Sequence, residues 1–230
     1  MMISALSLEQ TILSLCRDAP SFATKKTDEG ELWLKLVTNV LSSQVAYELA
    51  EVFGKFLHDC KLLLPDWSGA CWEEYHHEVS SALKTPREVR QRKCRYRFPN
   101  SKSKQIVTTV KRFSENSAHL SEMAYSQKDC KLVRSRLCEH VDGFGPKQAS
   151  MFLRDIGRGH NLAIIDRHIL QYMEYQGLIS ANDAEGFNSR HYDEIEAEFI
   201  RYANFLGVPV GRLDWTVWVV MRTAKRKGMI

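Results

Sequence analysis

Apolar residues recur at helical spacing along most of this chain. The windows with this pattern are residues 6–16, 32–41, 45–57, 106–113, 132–141 and 195–206. Spacings of three and four residues place such side chains on one face of a helix. The strict alternation that is typical of strands is not sustained anywhere in the sequence. The pattern therefore predicts an all-α fold.

Three polar stretches interrupt the helical pattern. They are residues 18–30, the charged and proline-containing residues 85–103, and residues 180–190, which are rich in Asn, Asp and Gly. Residues of these types favour turns and loops. We interpret all three stretches as connections between helices.

A Gly-Phe-Gly-Pro-Lys sequence at residues 143–147 is the most informative local motif. Glycines at 143 and 145 permit the positive φ angles of a tight turn, and they let backbone amides approach a phosphate. Pro146 suits the first turn of a helix, and Gly157 is a suitable stop for that helix. Lys147 therefore falls in the first helical turn, where the helix dipole disfavours an ammonium. A neutral lysine is a nucleophile toward carbon.

The motif and its surroundings resemble the helix-hairpin-helix DNA glycosylase superfamily, most closely the compact archaeal-type 8-oxoguanine DNA glycosylase/lyases. In that family a hairpin lysine attacks the sugar C1′, and an aspartate after the next loop assists. Lys147 and Asp166 occupy these two positions. The resemblance covers most of the chain from about residue 31 and extends to three further motifs, Leu41-Ser42-Ser43-Gln44, Arg97-Phe98 with Lys102, and Leu213-Asp214-Trp215 with Trp218.

The resemblance implies one glycosylase unit over residues 1–230, built from two helical lobes with the active-site cleft between them. Residues 31–160 would form a central lobe that ends in the helix-hairpin-helix. Residues 1–30 and 161–230 would form the second lobe from both chain ends. The cleft would hold a nucleotide that has been extruded from duplex DNA, because C1′ is inaccessible inside the helix.

The resemblance also assigns roles to individual residues. Lys147 and Asp166 are the predicted catalytic pair. The predicted contacts to the DNA backbone are Gly143, Gly145, Lys102 and His168. The predicted contacts to the extruded nucleotide, with Gln44 projecting from an early helix, are Gln44, Phe98, Trp218 and Lys227. Asp166 is in addition a suitable helix N-cap, and the two roles are compatible.

We therefore expect a bifunctional glycosylase and apurinic-site lyase that excises 8-oxoguanine from duplex DNA through a lysine Schiff base. This chemistry requires no metal and no organic cofactor. Two alternatives stay open. Family members end on a lysine whose carboxylate helps to recognise the base, whereas this sequence continues past Lys227, which allows the same chemistry on another damaged base. The second alternative is a non-catalytic hairpin module that only binds DNA.

Composition agrees with a globular DNA-binding protein. The chain has 230 residues, 44% of them hydrophobic, and 32 Lys and Arg against 28 acidic residues give a net charge of +4. Basic residues cluster in two places, at 87–104 and at 222–227, which favours phosphate contacts. We expect a monomer on double-stranded DNA that contains a damaged base or an abasic site.

The sequence also bears on location. No run approaches the roughly 18 apolar residues of a membrane span, and the N-terminus lacks the layout of a secretory signal. We therefore expect no membrane association and an intracellular protein of the cytoplasm or nucleoid. The six cysteines include no Cys-x-x-Cys pair, so we expect reduced thiols rather than metal ligands. An Asp- and Glu-rich stretch at 193–198 is interpreted as a solvated helix face.

Overall fold

The computed structural model describes residues 4–18, 27–63, 71–188 and 191–226. Within these ranges the chain forms 12 α-helices and one two-stranded hairpin. The predicted all-α fold is confirmed, with the short hairpin as its exception. The chain divides into two compact units, Lys25–Ile156 and a second unit that combines Met1–Thr24 with Gly157–Ile230.

The unit formed by Lys25–Ile156 contains seven helices and the hairpin. Its elements are α2 (Glu29–Leu41), α3 (Tyr47–Asp59), α4 (Trp72–Lys84), β1 (Arg87–Val89), β2 (Arg92–Cys94), α5 (Pro99–Glu115), α6 (Leu120–Tyr125), α7 (Cys130–His140) and α8 (Pro146–Asp155).

Helix α2 is the centre of this unit and packs against α3, α5, α6 and α8. Its apolar face is fully buried, and Trp33 meets the ring of Phe113 edge-on at 5.2 Å between centroids. Where α2 crosses α3, Gly54 lies directly against Thr38. The absence of a side chain at this position allows the two helices to approach closely.

The other unit contains five helices. They are α1 (Ala5–Cys16), α9 (Arg167–Tyr175), α10 (Ala181–Glu185), α11 (Tyr192–Phe205) and α12 (Val210–Arg226). Helices α1, α9 and α11 pack on α12 around a core that includes Ile12, Tyr172, Phe199 and Val217. The hydroxyl groups of Tyr172 and Tyr202 hydrogen-bond at 2.9 Å inside this core.

Each predicted helical window overlaps a helix, whereas α4 and α12 were not predicted. All three predicted loops overlap regular structure, residues 18–30 only where α2 begins. Residues 85–103 form the β1–β2 hairpin and the start of α5, since Arg90 and Gln91 adopt the positive φ angles of 50° and 63° that a two-residue hairpin turn requires. Residues 180–190 contain α10, which begins with a capping box between Ser180 and Asp183. In the described part of the chain, no helix combines the length and apolar character that a membrane crossing requires.

We expect Gly54→Ala to destabilise the protein. The new Cβ would lie 2.5 Å from Thr38 Oγ1. Overpacking of this kind costs about 1–3 kcal/mol, more than the ~0.5–1 kcal/mol that alanine gains over glycine in a helix. Urea unfolding measures the difference. The matched control is Gly30→Ala in α2, where the nearest atoms are 3.5 and 3.6 Å away, and this variant should be as stable as the wild type or slightly more so. Equal stability of the two variants would contradict the packing argument.

Candidate active site

The turn between α7 and α8 contains the glycine motif, so the two helices and the turn form a helix-hairpin-helix. Gly143 has φ of +85°, as the sequence predicts. Gly145 differs from the prediction. It is the N-cap of α8 with φ of −110°, a conformation open to any residue, and a Cβ there would meet only Gln148 Oε1 at 3.7 Å. Neither backbone geometry nor internal packing therefore requires a glycine at 145.

Side chains on one face of α5 hold this turn. Thr109 Oγ1 accepts a hydrogen bond from the Asp142 amide at 2.9 Å, and the side chain of Gln105 covers Gly143. One turn further along α5, Arg112 donates to the carbonyl of His140 at 2.7 Å. The turn thus has a fixed conformation, because separate positions along α5 bind the end of α7 and the glycine that follows it.

Lys102 belongs to the same face of α5 and differs from its predicted role. Its side chain is only 6% exposed, and Nζ donates to Gln105 Oε1 at 2.9 Å. Burial lowers the pKa of the Lys102 ammonium, and the charge of Asp142 partly opposes this shift. This location does not fit the predicted contact with DNA phosphates. Lys102 lies three residues before Gln105 on α5, and its side chain points toward Gln105 and the glycine turn instead of toward solvent.

Lys147 lies in the first turn of α8, one residue after Pro146, and is half-buried. Amides in the first turn of a helix have no intrahelical acceptor. Within the described chain, the amides of Gly145 and Lys147 have no other hydrogen-bond acceptor. The α8 N-terminus thus presents backbone donors beside a lysine, with no side chain at Gly145.

Asp166 is the residue before α9, in the other unit. Its carboxylate Oδ1 accepts hydrogen bonds from the amides of His168 at 2.8 Å and Ile169 at 3.0 Å. The predicted N-cap is therefore confirmed. These two bonds hold the carboxylate at the helix N-terminus, where the helix dipole favours a negative charge.

The segment leading to Asp166 is held by three buried side chains whose supporting role the sequence analysis did not predict. Glu196 accepts from the Ala163 amide at 3.1 Å, Asp214 from the Ile164 amide at 2.8 Å, and the Tyr192 hydroxyl from the Ile165 amide at 3.0 Å. Glu196 is fully buried, so its assignment to a solvated face is wrong. The available signal was its helical spacing from Tyr192, which places it on the apolar face of α11.

His168 is 6% exposed in the first turn of α9. Burial lowers the pKa of its imidazole, Asp166 opposes this shift, and Arg167, Lys225 and Arg222 reinforce it. No group in the described chain hydrogen-bonds its Nδ1. The ring is thus largely withdrawn from solvent, although its position was predicted to contact the DNA backbone.

The predicted nucleotide contacts occupy different environments. Gln44 was expected in a helix, but α2 ends at Leu41, and Gln44 lies exposed in the following turn with φ of 63°. Phe98 is the half-buried N-cap residue of α5, and the guanidinium of Arg97 lies 4.9 Å from its ring centroid. Trp218 is half-buried on α12 beneath Arg222. Lys227 lies outside the described residues.

A cavity of about 450 Å³ lies between α9 and α12. Among the described residues it is lined by Gln171, Glu174, Tyr175, Met221 and Lys225, and Gln44, Phe98 and Trp218 do not line it. The six cysteines are free thiols at separate positions. The described residues include no group of three His, Cys, Asp or Glu side chains suited to a metal ion.

Comparison with known proteins assigns the family. The family model described as 8-oxoguanine DNA glycosylase matches residues 77–208, more than half of the chain, and the match includes Lys147 and Asp166. The chain therefore belongs to the 8-oxoguanine DNA glycosylase family.

Individual relatives carry related names. The chain is 33% identical over 126 residues to the 8-oxoguanine DNA glycosylase/AP lyase of Saccharolobus islandicus, a match that covers 54% of this chain and 59% of the relative. It is 34% identical over 152 residues to the protein of the same name from Metallosphaera sedula, covering 64% of this chain and 65% of that relative. These matches span 59% and 65% of the relatives' own length, less than two thirds in both cases.

Solved structures share the fold. The 8-oxoguanine glycosylase/lyase of Methanocaldococcus jannaschii, solved with a 15mer DNA that contains 8-oxoguanine, matches with a TM-score of 0.66 and 24% identity over 96% of this chain and 91% of that chain. The 8-oxoguanine DNA glycosylase of Thermotoga maritima matches with a TM-score of 0.61 and 21% identity over 92% of this chain and 86% of that chain. At these identities the likeness shows the fold.

The two glycines of the turn should respond differently to alanine. Gly143→Ala should lower the free energy of unfolding by at least about 1 kcal/mol, because an L-residue is strained at positive φ. The new Cβ would also lie 2.5 Å from Gln105 Oε1, the acceptor for the buried Lys102 ammonium. Gly145→Ala should cost less, roughly 0.5 kcal/mol, because alanine is a poorer N-cap than glycine but meets neither obstacle. Denaturant unfolding of both variants checks this expectation, and equal destabilisation would refute it.

Proposed function

We propose that this protein is a bifunctional 8-oxoguanine DNA glycosylase and apurinic-site lyase that acts as an intracellular monomer on duplex DNA. The observation that carries the proposal is Lys147 in the first turn of α8, directly after the glycine turn, inside the region that matches the family. The family's chemistry needs a lysine nucleophile at this position.

The proposed binding step uses the α8 N-terminus. The free amides of Gly145 and Lys147 bind a phosphate of the damaged strand, because helix N-termini favour anions. Neither the φ of Gly145 nor its surroundings exclude a side chain at this position. A bound backbone phosphate supplies a reason for glycine there, since a Cβ would hinder its approach to the amides.

The proposed chemistry acts on a nucleotide that has left the base stack. The amine of Lys147 forms a bond to C1′ and loses a proton, and the N-glycosidic bond breaks as the base departs with its electron pair and takes up a proton. Opening of the sugar ring converts the adduct into a Schiff base. Loss of the proton at C2′ then expels the 3′ phosphate and nicks the strand. These steps require no oxidant, metal or cofactor.

Asp166 supports the same reaction electrostatically. Positive charge develops on the deoxyribose as the base departs, and a fixed carboxylate stabilises such charge. The two amide bonds at the α9 N-terminus preorganise this carboxylate. In the proposed complex, Phe98 and Trp218 stack on the extruded base and Gln44 contacts the nucleotide.

Replacing the nucleophile provides the primary test of the proposal. Borohydride reduces the Schiff base and should trap the wild-type protein on duplexes that carry 8-oxoguanine or a preformed abasic site. Lys147→Gln should abolish both adducts and both strand nicks, because no amine remains to attack C1′. The products are measured by denaturing gel electrophoresis of labelled duplexes.

Lys111→Gln is the matched control for this test. Lys111 is exposed on α5 and pairs with Glu115, and this variant should trap like the wild type. Nicking by Lys147→Gln would refute the proposed nucleophile. A wild-type adduct on the abasic duplex alone would retain the lyase and exclude 8-oxoguanine as the excised base. Salt-sensitive binding without any adduct would indicate a non-catalytic DNA-binding module.

Two substitutions separate the capping and catalytic roles of Asp166. Asp166→Asn should keep most of the stability, because asparagine caps helices well, whereas Asp166→Ala should lose about 1 kcal/mol. Both variants should excise the base more slowly by about 10²-fold or more, since both lack the negative charge. Urea unfolding and single-turnover excision give the two readouts. Wild-type excision by Asp166→Asn would restrict Asp166 to capping.

A further inference from the structure

The β1–β2 hairpin and the link that follows it, residues 87–97, concentrate positive charge. This segment, here called the basic arm, has six Lys or Arg residues against one acidic residue, Glu88. Its balance of +5 exceeds the +4 of the whole chain, so the remainder of the protein is close to neutral. The basic arm is therefore strongly basic although the net charge of the whole chain is small.

The turn of the basic arm carries long polar side chains where glycine or asparagine is usual. Val89 pairs with Arg92 at the end of the two strands, and the turn residues Arg90 and Gln91 both have positive φ. Such turns favour Asn-Gly and similar pairs, and non-glycine residues at positive φ cost about 1 kcal/mol or more each. Sequence choices that weaken a turn are expected where the side chains serve a function.

The basic arm is fixed to the helices beneath it. The Arg87 guanidinium stacks over the ring of Phe56 on α3, 3.2 Å from its centroid. Tyr96 is buried and donates its hydroxyl to the Leu41 carbonyl at 2.6 Å. Arg90 forms an ion pair with Glu48 on α3. The arm therefore presents its remaining cations from a defined position, which reduces the ordering cost of binding a ligand.

Three of these cations form no ion pair within the described residues, although Glu88 is the cross-strand neighbour of Lys93. Arg92, Lys93 and Arg95 are exposed, and no carboxylate of the described residues forms an ion pair with them. Like charges this close repel one another, and a polyanion relieves the repulsion while it releases its own counterions. The link also runs directly into Phe98 and α5, the helix that holds the glycine turn.

We propose that the basic arm is a second anchor on the phosphate backbone of duplex DNA, with Arg92, Lys93 and Arg95 as its contacts. The identity of the duplex rests on the proposed function. Arg92 and Lys93 project from opposite faces of β2, so they suit different phosphates of the repeating DNA backbone. The arm would hold the duplex while the α8 N-terminus binds the phosphate next to the lesion.

The test measures binding of the full chain to a duplex that carries a non-cleavable abasic-site analogue, across salt concentrations from about 50 mM to about 200 mM. The triple variant Arg92→Gln, Lys93→Gln, Arg95→Gln should bind at least about 10-fold more weakly at low salt. The slope of log K against log salt should shrink by about 0.9 for each phosphate that the variant no longer neutralises. Single-turnover excision at saturating protein should match the wild type, because the arm takes no part in the chemistry.

A charge-matched control removes three cations that already have partners. Lys55, Lys111 and Arg201 form ion pairs with Asp59, Glu115 and Glu198, and replacing all three by glutamine should leave the slope unchanged. A charge-conserving variant, Arg92→Lys with Arg95→Lys, should keep most of the affinity. Circular dichroism and thermal unfolding verify the fold of each variant. The single variant Arg95→Glu should also weaken DNA binding and reduce the salt slope, and it changes the hairpin least.

An equal reduction of the slope in the control triple would overturn the proposal, because the effect would then follow total charge. Tighter, arm-dependent binding to a duplex RNA or to an acidic peptide than to DNA would also overturn it. The readout needs no catalysis. Absence of any borohydride adduct with the wild type would therefore reject the proposed enzyme while leaving the result for the basic arm intact.

Discussion

The close approach between Gln105 and Gly143 is the contact on which the helix-hairpin-helix depends. A side chain at 143 would overlap the Gln105 amide, and only glycine tolerates a φ of +85° at low cost. Gln105 in turn accepts a hydrogen bond from the buried Lys102, and a buried ammonium is costly without such a partner. The side chain of Gln105 therefore packs against the turn and also supplies the hydrogen-bond acceptor for the buried Lys102 ammonium. The start of α8, and with it the position of Lys147, follows from this arrangement.

Lys102 and Lys147 show how the same side chain acquires different uses on this scaffold. Lys102 lies inward on α5 and supports the turn through Gln105. Lys147 lies at a helix N-terminus, half-buried and beside unpaired backbone donors. A support residue benefits from a fixed partner, whereas a nucleophile must keep its amine available. The structure thus separates the lysine that holds the site from the lysine proposed to perform the chemistry.

In the unit that contains Asp166, buried polar side chains likewise fix the backbone next to a proposed catalytic residue. The segment that enters α9 is buried and not helical, so its amides need acceptors from elsewhere. Glu196, Asp214 and Tyr192 provide them. Buried carboxylates are costly unless they are hydrogen-bonded. Here they accept hydrogen bonds from backbone amides that would otherwise have no acceptor, and these bonds fix the segment. Because this segment leads directly to Asp166, the Asp166 carboxylate has a defined position, which an electrostatic role in catalysis requires.

The sequence alone determined the features that depend on neighbours a few residues apart. Helical spacing predicted α1, α2, α3, α5, α7 and α11 but not α4 or α12. Gly143 predicted the left-handed turn, Pro146 the start of α8 and Asp166 the cap of α9. Each of these features reflects backbone geometry or an i to i+4 relation. The sequence did not predict that Glu196 is buried, that Lys102 faces inward, that Gln44 lies outside its helix or that residues 87–94 form a hairpin. Only the tertiary structure decided these, since each depends on contacts with residues remote in sequence or on where a helix ends. Residue type limits which chemistry a position can perform, but packing decides which charged groups are buried as support and which stay exposed for a ligand.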